Sequence, residues 1–324
     1  MNLVFDIGGT TSRTALCDRG RIIHSSRVDT PSFLNCSSGK EITDGIAQIV
    51  ADGCREYAGN FSKIGISYAG PVSGDGHPAP SAVIYGRFSD ECGDIRSAVN
   101  AATGDKGVVF ANDLTAAAYR YIHDYDSFCL ITVSSGIGNK FVFRGKIQTS
   151  DEGIEGEIGH IPAPFYDGYD IKCSCGKGEN HIGMISSGRG TEILALDCAK
   201  NKYHSEYVSS VLNGTKMTSR DIAHAADCGD GFAMLVINDC MKPLAYCCSL
   251  YLTSMYLDRI IFMGGFVQNC EYCIEAIREN AARFGVFGMT SDQIRQKLIL
   301  APNDDNHGVI GMDILLDVKK KSEK

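Results

Sequence analysis

The chain has 324 residues, of which 44% are hydrophobic and 22% charged, and its formal net charge at pH 7 is -8. This length is sufficient for two domains, each with its own hydrophobic core. The acidic balance argues against nucleic acid as the main partner, because such binding depends on clustered Lys and Arg. No apolar run reaches membrane-spanning length, and Asp6 with a glycine turn interrupts the first apolar stretch, so we expect neither membrane association nor a signal peptide.

The first predicted elements form a short meander of strands. Leu3-Val4-Phe5 is a strand that ends at a glycine turn, and Ser12 to Cys17 is the returning strand. Arg19-Gly20-Arg21 forms a hairpin turn, and Ile22 begins a third strand.

The same order of elements returns in the middle of the chain. Residues 129–133 form a strand that ends at a glycine turn over residues 134–138, residues 141–143 return, and Arg144-Gly145-Lys146 is a second hairpin turn. We interpret the two segments as an internal duplication. A duplication predicts two similar α/β lobes that face each other across a cleft.

Strands and helices alternate through the rest of the chain, which indicates α/β layers. We expect a small lobe of residues 1–114 with a C-terminal helix over 303–324, and a larger lobe of residues 115–302. Further strands are predicted over 63–67, 107–110 and 259–263, and helices over 41–57, 114–122, 232–256 and 307–318.

Fourteen cysteines bear on the cellular compartment. A secreted disulfide-rich protein would be shorter and would carry a signal peptide. We therefore expect a cytoplasmic protein whose cysteines in apolar or helical surroundings are buried thiols. These are Cys17, Cys129, Cys240, Cys247, Cys248 and Cys270.

The turn Asp6-Ile-Gly-Gly-Thr-Thr11 is the first motif with chemical content. Gly8 and Gly9 would let backbone amides approach phosphate oxygens, and the hydroxyls of Thr10 and Thr11 would add donors. Asp6 could hold a hydrated magnesium ion. The alternative is a hairpin whose glycines serve geometry alone. The motif is neither a Walker loop nor a dinucleotide fingerprint.

An ordered set of motifs that starts with this turn resembles the ROK (repressor, open reading frame, kinase) family of the actin-like and hexokinase-like ATPases. The resemblance runs from residue 3 to about residue 312. It implies two actin-like (ribonuclease H-like) lobes with mixed sheets flanked by helices and a cleft between them. The motifs are Asp6-Ile-Gly-Gly-Thr10, Gly70-Pro71-Val72, Asn112-Asp113, Ser135-Gly136-Ile137-Gly138, Glu157-Ile-Gly-His160, Cys173-Ser-Cys175-Gly176 and Met263-Gly264-Gly265.

The resemblance implies an ATP-dependent kinase that phosphorylates a hydroxyl of a hexose, an amino sugar or a related cyclitol. It implies that Asp113 is the general base and that Asn112 binds sugar hydroxyls, although an Asp at this junction would also serve as a helix N-cap. ATP would lie against both glycine turns, and Asp6 would hold magnesium. The glycines after strand 259–263 would approach adenosine, or would simply end that strand. Beyond the first turn, the implied ATP contacts are Ser135, Gly136, Gly138, Gly264 and Gly265.

Glu157, His160 and Gly70 complete the implied acceptor site. A carboxylate and an imidazole suit adjacent hydroxyls, because they accept and donate hydrogen bonds. Without the resemblance, the Glu157 segment would be interpreted as a solvated acidic turn.

Cys173 and Cys175 follow His160 and indicate a partial zinc site, since thiolates and imidazoles suit tetrahedral zinc. The resembled enzymes hold structural zinc with one histidine and three cysteines. The third cysteine is missing here, and His181 is the expected replacement. The alternative is a pair of free thiols in a loop.

Several positions depart from the family pattern. Many members carry a glutamate where this chain has Gly183, and Pro-Asn where it has Pro80 and Ser81. A family glycine turn reads Gly136-Ile-Gly-Asn139-Lys140 here. Lys140 could contact a phosphate, but we expect an exposed strand lysine. Lost hydrogen bonds should alter specificity strongly, so we hypothesise that the acceptor is not plain glucose.

A silent sugar-binding sensor, which would keep the fold but not the chemistry, is the alternative function. A transcriptional repressor would need a DNA-binding segment before the first glycine turn. We do not expect one, because that turn begins at residue 6 and the net charge is acidic. We also expect a homodimer, in which the apolar region 232–256 forms either a subunit interface or core.

Overall fold

Residues 1–104, 106–166, 169–173 and 175–322 are described by the computed structural model, with side chains described up to residue 318. Ser174 of the predicted metal loop and residues 323–324 of the predicted C-terminal helix lie outside the described residues. The chain divides into two units. The first unit comprises Met1–Asp124, Gly145–Glu155 and a segment that begins at Asp304, and the second comprises Tyr125–Arg144 and Gly156–Asn303.

The described strands and helices alternate along the chain, as the sequence predicts. The strands are β1 Asn2–Ile7, β2 Thr11–Asp18, β3 Arg21–Asp29, β4 Lys63–Tyr68, β5 Val108–Asn112, β6 Phe128–Val133, β7 Ile137–Phe143, β8 Lys146–Ile147, β9 Arg259–Met263 and β10 Leu298–Leu300. The helices are α1 Gly39–Glu56, α2 Ile95–Thr103, α3 Asp113–Tyr119, α4 Ile182–Ile185, α5 Gly188–Asp197, α6 His204–Val208, α7 Ser219–Asp227, α8 Gly231–Met255, α9 Gly265–Gln268, α10 Glu271–Phe284, α11 Ser291–Lys297 and α12 His307–Ser322. Short 3-10 helices cover Gly86–Glu91 and Ile158–His160, and a π-helical turn covers Cys198–Lys202.

The sheet of the first unit has the strand order β3-β2-β1-β4-β5. Strand β1 pairs antiparallel with β2 and parallel with β4, so the sheet is mixed. Both faces of β1 are buried, because Leu3 and Phe5 belong to one apolar cluster and Val4 to another. Helices α1 and α2 cover the first face, and α3 and α12 cover the second.

The sheet of the second unit repeats this topology. Its strands β10, β9, β6 and β7 follow one another in that order, with β6 antiparallel to β7 and parallel to β9. The two Arg-Gly turns also match, since Arg19 and Gly20 have φ of 51° and 79° and Arg144 and Gly145 have φ of 51° and 68°. The two α/β units with mixed sheets flanked by helices are therefore confirmed.

Helix α8 is the central helix of the second unit. It runs for 25 residues, and Asp230 caps it by accepting a hydrogen bond from the Ala233 amide. Its inner face joins one large core with β6, β9 and α10. Among the described helices, none combines the length and apolar content needed to cross a bilayer. The six cysteines predicted to be buried thiols are all buried.

Candidate active site

Asp6 lies near the end of β1, between β2 and β4. Its carboxylate accepts a hydrogen bond of 2.5 Å from the Ser67 hydroxyl. A side chain at Gly308, in the first turn of α12, would come within 2.6 Å of the carboxylate oxygen, so this glycine is required by the close approach. Burial raises the pKa of Asp6, the Ser67 bond opposes that shift, and the Asp305 carboxylate adds to it.

Gly8 and Gly9, which follow Asp6, both lie close to backbone carbonyl groups. The Gly8 amide donates to the Thr11 carbonyl at 3.1 Å, and a Cβ at Gly8 would lie 2.9 Å from that oxygen. A Cβ at Gly9 would lie 3.2 Å from the Val83 carbonyl. Thr10 and Thr11 are exposed. Turn geometry therefore explains Gly8, while the exposed hydroxyls remain accessible to a ligand.

The junction of β5 and α3 carries Asn112 and Asp113. The helix cap is Asn112, whose side-chain oxygen accepts from the Leu114 and Thr115 amides at 3.1 and 3.2 Å. Asp113 is the first helical residue, and its Oδ1 accepts from the Leu114 amide at 2.8 Å. The cap role that could have explained an aspartate here therefore belongs to Asn112.

Gly70 is joined to the same junction, because its carbonyl accepts a hydrogen bond of 3.1 Å from the Asn112 side chain. A Cβ at Gly70 would lie 2.6 Å from Ser81 and Tyr68, so only glycine fits. Asn112 also borders a cavity of about 190 Å³ within the first unit. Polar groups on its wall that the sequence did not single out come from Ser73, Thr115, Thr149 and Glu155.

The second glycine turn connects β6 to β7. The Ser134 amide donates to the Gly136 carbonyl at 3.0 Å, and the Ser134 carbonyl accepts from the Gly188 amide at 2.9 Å. Ser135 and Gly136 are exposed, while Gly138 lies within β7 opposite Thr132. This turn is thus tied to the start of α5.

Gly264 and Gly265 follow β9. Gly264 has φ of 103°, and a Cβ there would lie 2.7 Å from the Val133 carbonyl, so glycine is required for both conformation and space. Its amide donates to Gln268 Oε1 at 2.9 Å. Gly265 is exposed and begins α9. The glycine pair brings the start of α9 close to the end of β6.

A cavity of about 730 Å³ lies beside these glycines in the second unit. This is within the size range of ligand pockets. Of the predicted ATP contacts in this unit, Ser135 and Gly265 line it, whereas Gly136, Gly138 and Gly264 are not part of its lining. The remaining wall residues are Ser134, Gly188, Arg189, Glu192, Ser219, Arg220, Ala223, Phe266 and Asn269.

This wall combines features that suit a nucleotide. Arg189 and Arg220 are exposed cations, and Phe266 offers an apolar ring. Glu192 is oriented by a hydrogen bond of 2.7 Å from the Ser219 amide. Sequence reasoning missed these residues, although Ser187-Gly188-Arg189-Gly190 is a glycine-rich helix start that could have marked the place.

His160, Cys173, Cys175 and His181 meet in the second unit. One potential ligand atom from each lies within 4.8 Å of the others. Cys173 Sγ is 3.4 Å from His160 Nδ1, and Cys175 Sγ is 3.6 Å from His181 Nδ1. Thiolate and imidazole atoms around tetrahedral zinc lie roughly 3.6 Å apart, so this donor set fits zinc.

The loop around these four residues is well supported. The Cys173 amide donates to the Gly178 carbonyl at 3.2 Å, and the Gly176 amide donates to the Cys173 carbonyl at 3.1 Å. Lys172 and Glu179 form an ion pair of 2.5 Å beside it. The loop thus holds its potential metal ligands, Cys173, Cys175 and His181, in a closed turn.

Glu157 lies beside His160. Its Oε2 is 3.7 Å from His160 Nε2, whereas His160 Nδ1 faces Cys173. The two ring nitrogens of His160 therefore point at different partners. At 3.7 Å the carboxylate is close to the second nitrogen but is not hydrogen-bonded to it.

The structure bears on two of the positions that depart from the family pattern, Gly183 and Lys140. A Cβ at Gly183 would lie 3.0 Å from the Gly159 carbonyl, so the start of α4 lies close against the segment that carries His160. Lys140 is only 2% exposed, so the expectation of an exposed strand lysine is wrong. Its neighbour Asn139 is also buried, so both faces of β7 are covered at this point of the strand, which the sequence did not indicate.

Comparison with known proteins agrees with these features. The sequence model of the ROK family matches residues 3–319. A C(7)-cyclitol 7-kinase from Streptomyces hygroscopicus subsp. limoneus is 32% identical over 96% of this chain and 92% of its own length. An N-acetylmannosamine kinase from Haemophilus influenzae is 27% identical over 60% of this chain and 61% of its own length.

The fold also matches solved structures. A ROK family glucokinase from Streptomyces griseus, crystallised with glucose and AMPPNP, superposes with a TM-score of 0.73 at 22% identity. The match covers 97% of this chain and 98% of that chain. At this identity the likeness establishes the fold.

Proposed function

The chain belongs to the ROK family, and from that premise we propose that it is an ATP-dependent kinase whose general base is Asp113. The acceptor is a hydroxyl of a sugar-like molecule. The observation that carries the proposal is the β5–α3 junction, where Asn112 caps the helix and Asp113 stands beside it. Phosphoryl transfer needs mainly positioning and charge neutralisation, with a carboxylate to take the acceptor's proton.

In this mechanism Asn112 and Asp113 act together on the acceptor. Asn112 binds acceptor hydroxyls, and the Asp113 carboxylate takes the proton of the hydroxyl that attacks the terminal phosphate. The hydrogen bonds from Leu114 and Asn112 to Asp113 Oδ1 hold the carboxylate in one orientation. A base positioned in this way contributes about 10²–10⁴ in rate.

ATP binds in the cavity of about 730 Å³ in the second unit. Arg189 and Arg220 attract the phosphates, Phe266 covers the base, and Ser135 and Gly265 approach the nucleotide closely. Asp6 would hold magnesium, which neutralises charge on the phosphates. The remaining phosphate contacts of the proposal are Gly8, Gly9, Thr10, Thr11, Gly136, Gly138 and Gly264.

A structural zinc ion would be held by His160, Cys173, Cys175 and His181. Zinc would join the Cys173–His181 loop to the segment that ends at His160. His160 uses Nδ1 for the metal and keeps Nε2 toward Glu157. The metal therefore braces the proposed acceptor contacts Glu157 and His160 and has no direct role in the chemistry.

The acceptor is a cyclitol or an amino sugar rather than glucose. Two observations support this choice: the 32% identity to a C(7)-cyclitol 7-kinase, and Gly183 in place of the family's sugar-contacting glutamate. A site built for a hydroxyl rejects analogues that lack it, and a site without that group loses the preference.

A panel of acceptors tests the proposal. Purified protein is incubated with ATP, magnesium and D-glucose, N-acetyl-D-mannosamine or a C7-cyclitol, and ADP release is measured. We expect turnover of the cyclitol or amino sugar at least about tenfold more efficient than of glucose, a difference of 1.4 kcal/mol. Efficient glucose turnover would remove the acceptor proposal, and no turnover of any acceptor would favour a silent sensor. The kinase is favoured at present because the curated relatives are kinases.

A homodimer completes the proposal, in the cytoplasm, where the buried thiols stay reduced. Phe165, Tyr246 and Phe284 form an exposed aromatic cluster, with ring centroids 5.5 to 5.8 Å apart. Residues 243–257 of α8 and its C-terminal end include no charged side chain. An uncharged aromatic surface can face a second copy of itself without repulsion.

Light scattering on the purified protein tests the dimer. Tyr246→Lys should yield monomers, because a twofold contact would place two lysines against each other. Leu196→Lys, also at an exposed apolar residue of the second unit, is the matched control and should stay dimeric. A monomeric wild-type protein would disprove this part.

A further inference from the structure

Asn139 is buried in β7, with 3% of its surface exposed, at a place where the resembled family has glycine. It makes three contacts within the second unit. Its backbone amide donates to the Gly156 carbonyl at 2.7 Å. Its side-chain oxygen, Oδ1, accepts from the Ile158 backbone amide at 3.3 Å. Its Nδ2 is 3.9 Å from Cys129 Sγ, which orients the side-chain amide.

Two of these contacts bracket Glu157. Gly156 precedes it and Ile158 follows it, so a single residue holds the main chain on both sides of the proposed acceptor contact. His160 follows two residues later in the same 3-10 helix, which Ile158 begins.

Close backbone packing gives this segment little room to shift. Gly156 has φ of 94°, and a Cβ there would lie 1.9 Å from the Asn139 carbonyl oxygen. A Cβ at Gly159 would lie 2.3 Å from the Ile137 carbonyl oxygen. The segment therefore lies directly on β7, and the side chain of Asn139 adds its bond to the Ile158 amide to these backbone contacts.

We propose that Asn139 is a positioning residue that fixes Glu157 and His160 for acceptor binding. The inference rests on the proposed function, since it assumes that these two residues contact the acceptor. A glycine at position 139 offers no side-chain oxygen to the Ile158 amide. The side chain of Asn139 therefore adds a second hydrogen bond, the tether, to the segment that carries Glu157 and His160.

The kinetic test uses Asn139→Ala with the acceptor that the wild-type protein phosphorylates best among D-glucose, N-acetyl-D-mannosamine and a C7-cyclitol. We expect the KM for this acceptor to rise about tenfold, in line with the loss of one partner of a buried hydrogen bond, and the KM for ATP to stay within about twofold. Asn139→Asp keeps an oxygen at the Oδ1 position and should recover most of the acceptor affinity.

Asn280→Ala is the matched control. Asn280 is another buried asparagine of the second unit, 1% exposed, and its side chain donates to the Asn238 and Ala276 carbonyls. Its removal should lower the melting temperature without a change in acceptor KM. An equal rise of acceptor KM in both variants would reduce Asn139 to a structural role and overturn the proposal.

Amide hydrogen exchange separates this inference from the proposed function. In Asn139→Ala the amides of residues 156–160 should exchange at least about tenfold faster, whereas Asn280→Ala should leave them unchanged. Unchanged exchange would overturn the tether, and faster exchange with an unaltered acceptor KM would overturn the role of Asn139 in acceptor binding. If the wild-type protein phosphorylated nothing in the panel, the proposed function would fail, and the exchange rates alone would decide whether the tether exists.

Discussion

Asn112 holds the carboxylate of Asp113 through a hydrogen bond of 3.0 Å from its side-chain amide. The same amide donates to the Gly70 carbonyl at 3.1 Å, while the side-chain oxygen caps α3. One side chain therefore starts the helix, anchors the loop at Gly70 and orients the neighbouring carboxylate. This arrangement lets the chemistry of Asp113 be changed without removal of the cap.

Asp113→Asn should lower kcat by about 10²–10⁴ and leave ATP affinity unchanged. The reason is that the amide cannot take the acceptor's proton, whereas Asn112 still caps the helix. Steady-state kinetics and a thermal melt measure both effects. Asp124→Asn, at an exposed aspartate of the same unit, is the control and should be fully active. Near-normal kcat in Asp113→Asn would rule out this residue as the base.

Asp6→Asn should stabilise the fold while it weakens catalysis. Burial raises the pKa of Asp6, so above the folded-state pKa the ionised carboxylate costs stability, and removal of the charge should raise the free energy of unfolding by about 1 kcal/mol. Turnover should fall and require more magnesium. Chemical denaturation and a magnesium titration measure the two changes. A less stable variant with unchanged magnesium dependence would contradict both the electrostatic argument and the metal assignment.

Arg189→Ala should raise the KM for ATP about tenfold with little change in acceptor KM, because it removes one of two cations from the wall of the larger cavity. Arg283→Ala removes an exposed arginine of the same unit outside that cavity and should leave both constants unchanged. An unaltered KM for ATP in Arg189→Ala would place the nucleotide elsewhere.

Purified protein should contain one zinc ion per chain, and His181→Ala should lose it. Without the metal, the loop from Cys173 to His181 loses its cross-link to His160, so the melting temperature should fall and the acceptor KM should rise more than the KM for ATP. Elemental analysis and thermal melts provide the measurement. His224→Ala, at an exposed histidine of the same unit, is the control. Zinc-free wild-type protein would refute the site.

Asp239→Asn should lower the free energy of unfolding at pH 7 by about 2 kcal/mol. Burial alone would raise the pKa of Asp239, but bonds from Lys202, Lys242 and Tyr203 outweigh it and hold the pKa below its ordinary value. Stability from this carboxylate is therefore complete above the unfolded pKa of about 3.9 and is lost as the pH falls through the lower folded value. Urea titrations should show the wild-type and variant curves converging in that acidic range. A gap that persisted at low pH would contradict this linkage.

The strands and turns of both hairpins could be predicted because their signals are local. In each Arg-Gly turn both residues adopt the left-handed backbone conformation typical of tight hairpins. Alternation of apolar residues predicted the flanking strands, and their helical spacing predicted the helices. Helix α2 was missed although Ile95 and Val99 have helical spacing and Asp94 caps its start, because nine residues between two loops give only a short pattern. The short strand β10 was missed because its pattern is equally compatible with the helix before it.

The candidate site was less predictable because its parts are distant in sequence. Ser135, Arg189, Arg220 and Phe266 line one cavity although more than 130 residues separate the first from the last. Pairing of β6 with β9 brings Ser135 near Phe266. Packing of α5 and α7 into the same core adds Arg189 and Arg220. The burial of Lys140 was equally hidden, since a lysine in a strand is ordinarily exposed.

The last described helix completes the first unit from the far end of the chain. Val309, Met312 and Leu316 of α12 pack with Val4 and Ala15 of the first hairpin in one apolar cluster. During synthesis on the ribosome, that face of the opening hairpin therefore stays only partly covered, by Ala111 and Ala116, until residue 316 has emerged. The core around α8, whose described residues run from Cys129 to Leu298, can meanwhile form. The apolar face of the β1–β2 hairpin is thus covered late, and chaperone binding to the nascent chain should concentrate on this hairpin.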